Sequence, residues 1–164
     1  MTLAELMANY TPSASYEGFA ESDTWVLAIK TASTQANEKA YPVFQVGAIN
    51  QSMTYNPTTN DATYVRTGTV TTKTGNQGQI SLEHDRYFGD VLQDYLDSYE
   101  IIWGTGDEIK TDFVYFNLLT GKGIKGTGHI VMNDGANTAA GGNGTFTGTL
   151  YIDGKPDEYT WSAA

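Results

Sequence analysis

Residues 109–119, IKTDFVYFNLL, limit the possible folds more than any other stretch. Phe113, Tyr115 and Leu119 alternate with Val114, Phe116 and Leu118. Successive side chains of a strand point to opposite faces, so a strand here is apolar on both. One face packs on the core, and the other needs a cover too. That cover is a helix or a partner chain. The expected fold is therefore layered, not a single open sheet.

Alternation extends the β reading along the chain. Strands are expected over 25–30 and 41–55, where Phe44, Val46 and Ala48 alternate with Gln45 and Gly47. Asn56-Pro57 and the polar run TTND break the second of these. A Thr-rich strand follows over 63–74, a turn over 75–78, and a strand over 79–83 with Ile80 and Leu82 on one face. Residues 128–133 form a short strand. Residues 143–153 alternate most cleanly, with Phe146, Leu150 and Ile152 inward and Thr145, Thr147, Thr149 and Tyr151 outward. An edge strand closes the chain over 158–161. Residues 31–39 read as a loop.

Two segments carry a helical period. Thr2 and Glu5 have capping-box spacing, and Leu3, Leu6, Met7 and Tyr10 then share a face until Pro12. So short a helix needs a docking site, on its own core or on a neighbouring subunit. The second helix is expected over 85–99 with Asp85 as N-cap. Phe88, Val91, Leu92, Tyr95, Leu96 and Tyr99 make its packing face, and Asp90, Gln93, Asp94 and Asp97 its solvent face. The fold class is mainly β: a single antiparallel sandwich or barrel-like domain, one flanking helix, a short N-terminal helix within an arm over 1–40, and a long loop or hairpin over 53–75.

The chain has 164 residues, 18 of them Gly and 11 Tyr. That length suits one domain able to bury a core. The formal net charge of −10 disfavours binding to nucleic-acid backbone or anionic membrane. Without Cys, disulfides and thiolate metal sites are excluded. The first ten residues lack a basic region and a long apolar run, so no secretory signal is expected there. No stretch approaches the length of a membrane span.

The chemical motifs do not add up to a reaction. GKGIKG, 121–126, has the form of a dinucleotide fingerprint, but a strand-like segment follows it where a helix N-terminus is required. His84 beside Asp85 reads as a surface residue at a helix entry, and His129 as a strand residue facing solvent or a subunit contact. Neither has a partner at metal-ligand spacing. The carboxylate pairs Asp90/Asp94, Asp107/Glu108 and Asp157/Glu158 read as solvated. GGNG, 141–144, is one copy of a calcium-repeat pattern that works only in arrays. Asn143-Gly-Thr145 is a glycosylation sequon in form only. No acid, base and nucleophile set can be assembled, so no enzyme, cofactor or metal is expected.

The order of elements over 42–156 is more informative. A strand VFQVGAINQSMTY runs into the polar YNPTTNDATY. QISLE, the helix FGDVLQDYLDSY, two-sided and alternating strands, and GNGTFTGTLYIDGKP follow. This order resembles the tail-tube (major tail) proteins of long-tailed bacteriophages. The resemblance implies hexameric rings whose sheets join into a barrel, and rings stacked into a tube that conducts the genome. It implies no catalytic residues.

The inter-ring element would be the 53–75 segment, with Tyr55, Asn56, Pro57, Asn60, Asp61 and Tyr64 in contact. Acidic residues on or beside strands, Asp107, Glu108, Asp112, Asp134 and Asp153 with Asp61, are candidates for the lumen wall, past which DNA slides unbound. The implied partners are further copies of the chain and other tail proteins (tape measure, terminator, distal tail). The implied locations are the virion tail and, before assembly, the host cytoplasm. A different class, a surface module for adhesion or carbohydrate binding, would use the Tyr and Trp residues as a stacking platform.

Overall fold

The two-sided strand finds both of its covers inside the chain. A computed structural model describes residues 1–163. In chain order the strands are β1 (Trp25–Ile29), β2 (Ala48–Asn50), β3 (Met53–Thr54), β4 (Pro57–Tyr64), β5 (Gly68–Asn76), β6 (Gln79–Asp85), β7 (Lys110–Asn117), β8 (Lys122–Asp134), β9 (Thr145–Ile152) and β10 (Asp157–Thr160). The α-helices are α1 (Leu3–Met7), α2 (Val91–Leu96) and α3 (Tyr99–Trp103). The main sheet runs β1-β7-β8-β9-β6-β2, with β10 added to β8 and β3 to β6. All its pairings are antiparallel, and it curls into a half-barrel.

Phe113 and Tyr115 of β7 join the main core with Leu27, Ile29, Ile80, Leu82, Ile130, Leu150 and Ile152. Leu92, Leu96 and Ile101 of α2 and α3 close that core from the other side. Val114, Phe116 and Leu118 point to the opposite face, into a second core with Val26, Ala28, Tyr41, Val43, Leu3 and Met7. The second cover is thus α1 and the 41–43 segment, so this strand does not itself require a partner chain. The capping box forms: the Glu5 N–H donates to Thr2 Oγ1 and the Thr2 N–H to Glu5 Oε2. Leu3 and Met7 are buried, whereas Tyr10 is exposed. The Leu3 N–H donates to the Tyr41 carbonyl at 2.8 Å.

The rim of the second core is latched by Lys125, whose ammonium lies 2.9 Å from Glu38. That hydrogen bond holds the Glu38 carboxyl below its usual range and raises Lys125. Tyr159 packs on Phe116, and burial pushes its phenol up to about 12.

Several expected elements differ. The strand expected over 63–74 is divided between β4 and β5 by a turn at 65–67, β5 runs on to Asn76 into the turn expected over 75–78, and the strand expected over 128–133 already begins at Lys122 in β8. The strand expected over 41–55 is broken into bridges and the short β2 and β3. Gly47 has φ +81°, and a Cβ there would lie 2.5 Å from the Asp85 carbonyl oxygen, so the chain kinks where alternation predicted continuity. Asn56-Pro57 does not end β structure; Pro57 opens β4, pairing with Asn76 at the end of the hairpin. The helix expected over 85–99 is shorter and begins later. Asp85 ends β6, Gly89 sits at φ +107°, and Asp90 is the N-cap. The chain then breaks at Asp97 and resumes as α3.

The packing face shifts accordingly. Leu92 and Leu96 are fully buried and Tyr95 packs beside them. Phe88, Val91 and Tyr99 are 81%, 51% and 79% exposed, because Phe88 precedes the cap, Val91 lies in the first turn and Tyr99 opens α3 after the break. Asp90 and Gln93, expected in solvent, are buried, and the Asp97 side chain is 3% exposed. His84 is not a surface residue. It continues the Ile80, Leu82 row and is fully buried.

Candidate interaction surfaces

The first surface is the β4–β5 hairpin, a separate two-stranded sheet. Seventeen residues in its strands bury nothing fully; only Ala62 is partly covered. A hairpin alone is marginal in water, so such an extension suits contact with another molecule. Its register puts Tyr64, Ala62 with Val70, and Asn60 with Thr72 on one face. Thr63 with Thr69, Asp61 with Thr71, and Thr59 with Lys73 take the other. Gly68, at φ +71°, closes the tip. Tyr55 is 68% exposed and Tyr64 57%. Asn56 adopts φ +41° at the base and donates to the Gln77 carbonyl.

A clamp fixes the segment leading to this hairpin. The Asp90 carboxylate accepts four backbone N–H groups: Leu92 and Gln93 at 3.1 and 3.3 Å, and Gln45 and Val46 at 2.7 and 3.0 Å. The Gln93 amide donates to the Val46 and Asp85 carbonyls and accepts from the Tyr87 N–H. Helix start, strand end and the path into β2 are tied at one point. Beside it, His84 Nε2 lies 2.9 Å from Asp97, which also faces Arg86 at 3.3 Å. Arg86 in turn pairs with Asp94 at 2.8 Å. The other atoms of the first pair, His84 Nδ1 and Asp97 Oδ1, are buried without a hydrogen bond.

The second surface is the face of β6, β9 and β8 opposite the main core. Directly paired residues share a face, which gives transverse rows. They are Asp85–Thr145, Glu83–Thr147–Asp134, Ser81–Thr149–Val131, and Gln79–Tyr151–His129–Lys110. Asp112 pairs with Thr127, and the Asp153 N–H donates to the Thr127 carbonyl, extending the same face. All these side chains keep partial or full exposure. Over β6, β9 and β8 the two faces therefore differ: α2 and α3 cover one, and this Thr-rich face stays open, whereas at β1 and β7 its continuation is covered by α1 and the 41–43 segment.

Asp112, Asp134 and Asp153 fall on the open face. Each is held by a neighbour: Asp112 by Thr127, Asp134 by Thr147, Asp153 by His129. Asp107 and Glu108 lie elsewhere, in the 3-10 turn Gly106–Ile109, where Glu108 accepts the Thr105 N–H. Asp61 is on the hairpin. Sequence reasoning missed Glu83 and Asp85, which β6 carries onto the same face. The face thus shows five carboxylates against Lys110, His129 and Lys30, whose ammonium lies 3.8 Å from Asp112. GKGIKG lies in strand geometry: Gly121 turns at φ +71°, and Gly123 sits where any Cβ would strike the Tyr115 carbonyl and Phe116. Among the described residues, no three His, Asp or Glu side chains come together as metal ligands.

Nine chains of solved structures match this fold. One belongs to the tail of an empty GTA (gene transfer agent) particle refined with C6 symmetry. The match has a TM-score of 0.58 at 14% identity, over 87% of this chain and the whole of that one. This chain shares the fold of that tail chain. No protein-family model matches it, and no curated protein matches it in sequence.

Proposed function

We propose that the chain is a structural subunit of a phage-like tail tube, in rings of six stacked along an axis. The observation that carries the reading is the fold shared, over 87% of the chain, with a chain of a particle tail refined with C6 symmetry. The two unlike sheet faces support an orientation within such a ring. The open face lines the lumen, and α2 and α3 lie outside. The hairpin, through Tyr55, Asn56, Pro57, Asn60, Asp61 and Tyr64, reaches the next ring.

The chemistry of the open face suits a conduit. Glu83, Asp85, Asp112, Asp134 and Asp153 repel phosphate, so passing DNA gains no counterion-release binding. Thr145, Thr147 and Thr149 present short hydroxyls that neither block nor grip a duplex. Asp107 and Glu108, off this face, have no lumen role in the proposal. Tail proteins at the ends and inside of the tube are the further partners, the virion tail is the location, and no catalytic step is assigned.

Sedimentation and negative-stain microscopy of concentrated protein test the reading. Rings or hollow tubes with six-fold end views are expected. A monodisperse monomer, with or without tail-initiating proteins, contradicts it.

A further inference from the structure

The curled sheet does not close on itself. Between β1 and the β2–β3 edge lies an open groove of about 660 Å³. Its apolar wall is Trp25, Tyr115, Ile49, Met53 and Tyr55. Trp25 stacks on Tyr115 with ring centroids 5.4 Å apart and planes at 14°. Across the gap the Leu27 N–H donates to Gln51 Oε1 at 3.1 Å. Asp23 lines one side, and the exposed Glu17 and Glu21 precede it in the approaching segment. No Lys or Arg precedes Lys30 in the chain, so this rim is acidic.

The hairpin tip has the complementary chemistry. Val65 is 104% exposed and Tyr64 57%, followed by the exposed Arg66. With Arg66 and Lys73 against Asp61, the hairpin is net positive in a chain of net charge −10. The tip cannot fill its own groove. Tyr55, at the hairpin base, lines that groove, and an eight-residue strand carries the tip about 25 Å away at ~3.3 Å per residue.

The geometry points to a contact between copies: the tip of one chain seats in the groove of the next. Tyr64 and Val65 pack on Trp25, Ile49 and Tyr115, and Arg66 faces Asp23. Unlike surfaces then meet head to tail, an arrangement that closes into rings or runs on as a filament. This deepens the assembly reading by giving the hairpin a receiving site.

The protein has no Cys, so introduced thiols report the contact. Val65→Cys/Ile49→Cys should oxidise to a ladder of linked chains. An equal mixture of the two single variants should give a heterodimer. Both positions are exposed, and unchanged melting temperatures check the fold. Val65→Cys mixed with Val91→Cys, on the exposed side of α2, is the control.

Arg66→Glu and Asp23→Lys should each raise the concentration needed for assembly about tenfold or more, as loss of a close interfacial charge pair does. The double reversal should recover most of it. The inference is overturned if cross-linking stays at control level while the wild type assembles, if the wild type never assembles, or if the reversal fails to rescue. It also falls if a soluble oligosaccharide quenches groove tryptophan fluorescence of a monomer equally in the wild type and Arg66→Glu. Cross-linked ladders without tubes in the microscope would keep the groove contact and remove the tail-tube reading.

Discussion

Replacing Asp90 by Ala removes one carboxylate that does two jobs. Oδ1 caps α2 through the Leu92 and Gln93 N–H groups, and Oδ2 holds the Gln45 and Val46 N–H groups. Loss of an N-cap costs about 1 kcal/mol. Two partly buried N–H groups left without acceptors cost about 1 kcal/mol each, the low end of the range because water reaches them. The sum, about 3 kcal/mol, is a large share of a typical stability of ~5–15 kcal/mol. It should lower the melting temperature by about 6–12 °C for a chain of this size.

Asp90→Ser separates the two jobs. A serine caps the helix but has no second oxygen for the 45–46 segment, so it should lose about 2 kcal/mol. Chemical denaturation gives both values. Amide exchange locates them: Gln45 and Val46 should lose protection in both variants, while Leu92 and Gln93 lose it only with Ala. A loss under about 1 kcal/mol for Ala, or equal losses for Ser and Ala, would refute the reasoning.

Three further outcomes follow from particular residues. Leu92→Asp buries an unpartnered charge and should cost several kcal/mol, whereas Val91→Asp, half exposed one residue earlier, should change the melting temperature little. Exchanging residues 56–76 for a short Gly-Ser link should leave the remaining fold intact by circular dichroism, because the hairpin adds nothing to either core, but should abolish assembly. Stability should fall as pH rises from about 10 to 12. The unfolded phenol ionises near 10 while native Tyr159, raised to about 12 by burial, stays protonated, so the unfolded state binds fewer protons across that window. Tyr159→Phe should flatten this decline in denaturant titrations, and an unchanged slope would count against it.

Alternation located β6 and β9, where one strand face is buried and the other is not. β1 and β7, buried on both faces, were legible instead as apolar runs, and the two apolar faces of β7 announced the second core. β4 was misread because its exposed polar residues give no apolar rhythm, and Asn56-Pro57 looks the same whether it ends a strand or opens one. The helix was over-extended because Phe88 and Val91 keep the helical spacing. The left-handed Gly89 and the four-donor role of Asp90 are set by tertiary contacts, with no local signal. His84 had a signal, its place two residues beyond Leu82, which the neighbouring Asp85 obscured. The acidic open face could not be assembled from sequence, since it depends on the pairing of β6 with β9 and β9 with β8. A shift of one residue would have turned each row over.

Helical reconstruction of the assembled protein is the most direct measurement of the account. It should show a hollow tube of stacked six-membered rings, with Thr145, Thr147, Thr149, Glu83 and Asp134 on the lumen wall and Leu92 and Leu96 behind them, α2 and α3 outermost. A tube with α2 and α3 turned to the lumen, or no assembly beyond the monomer at any concentration reached, would contradict it.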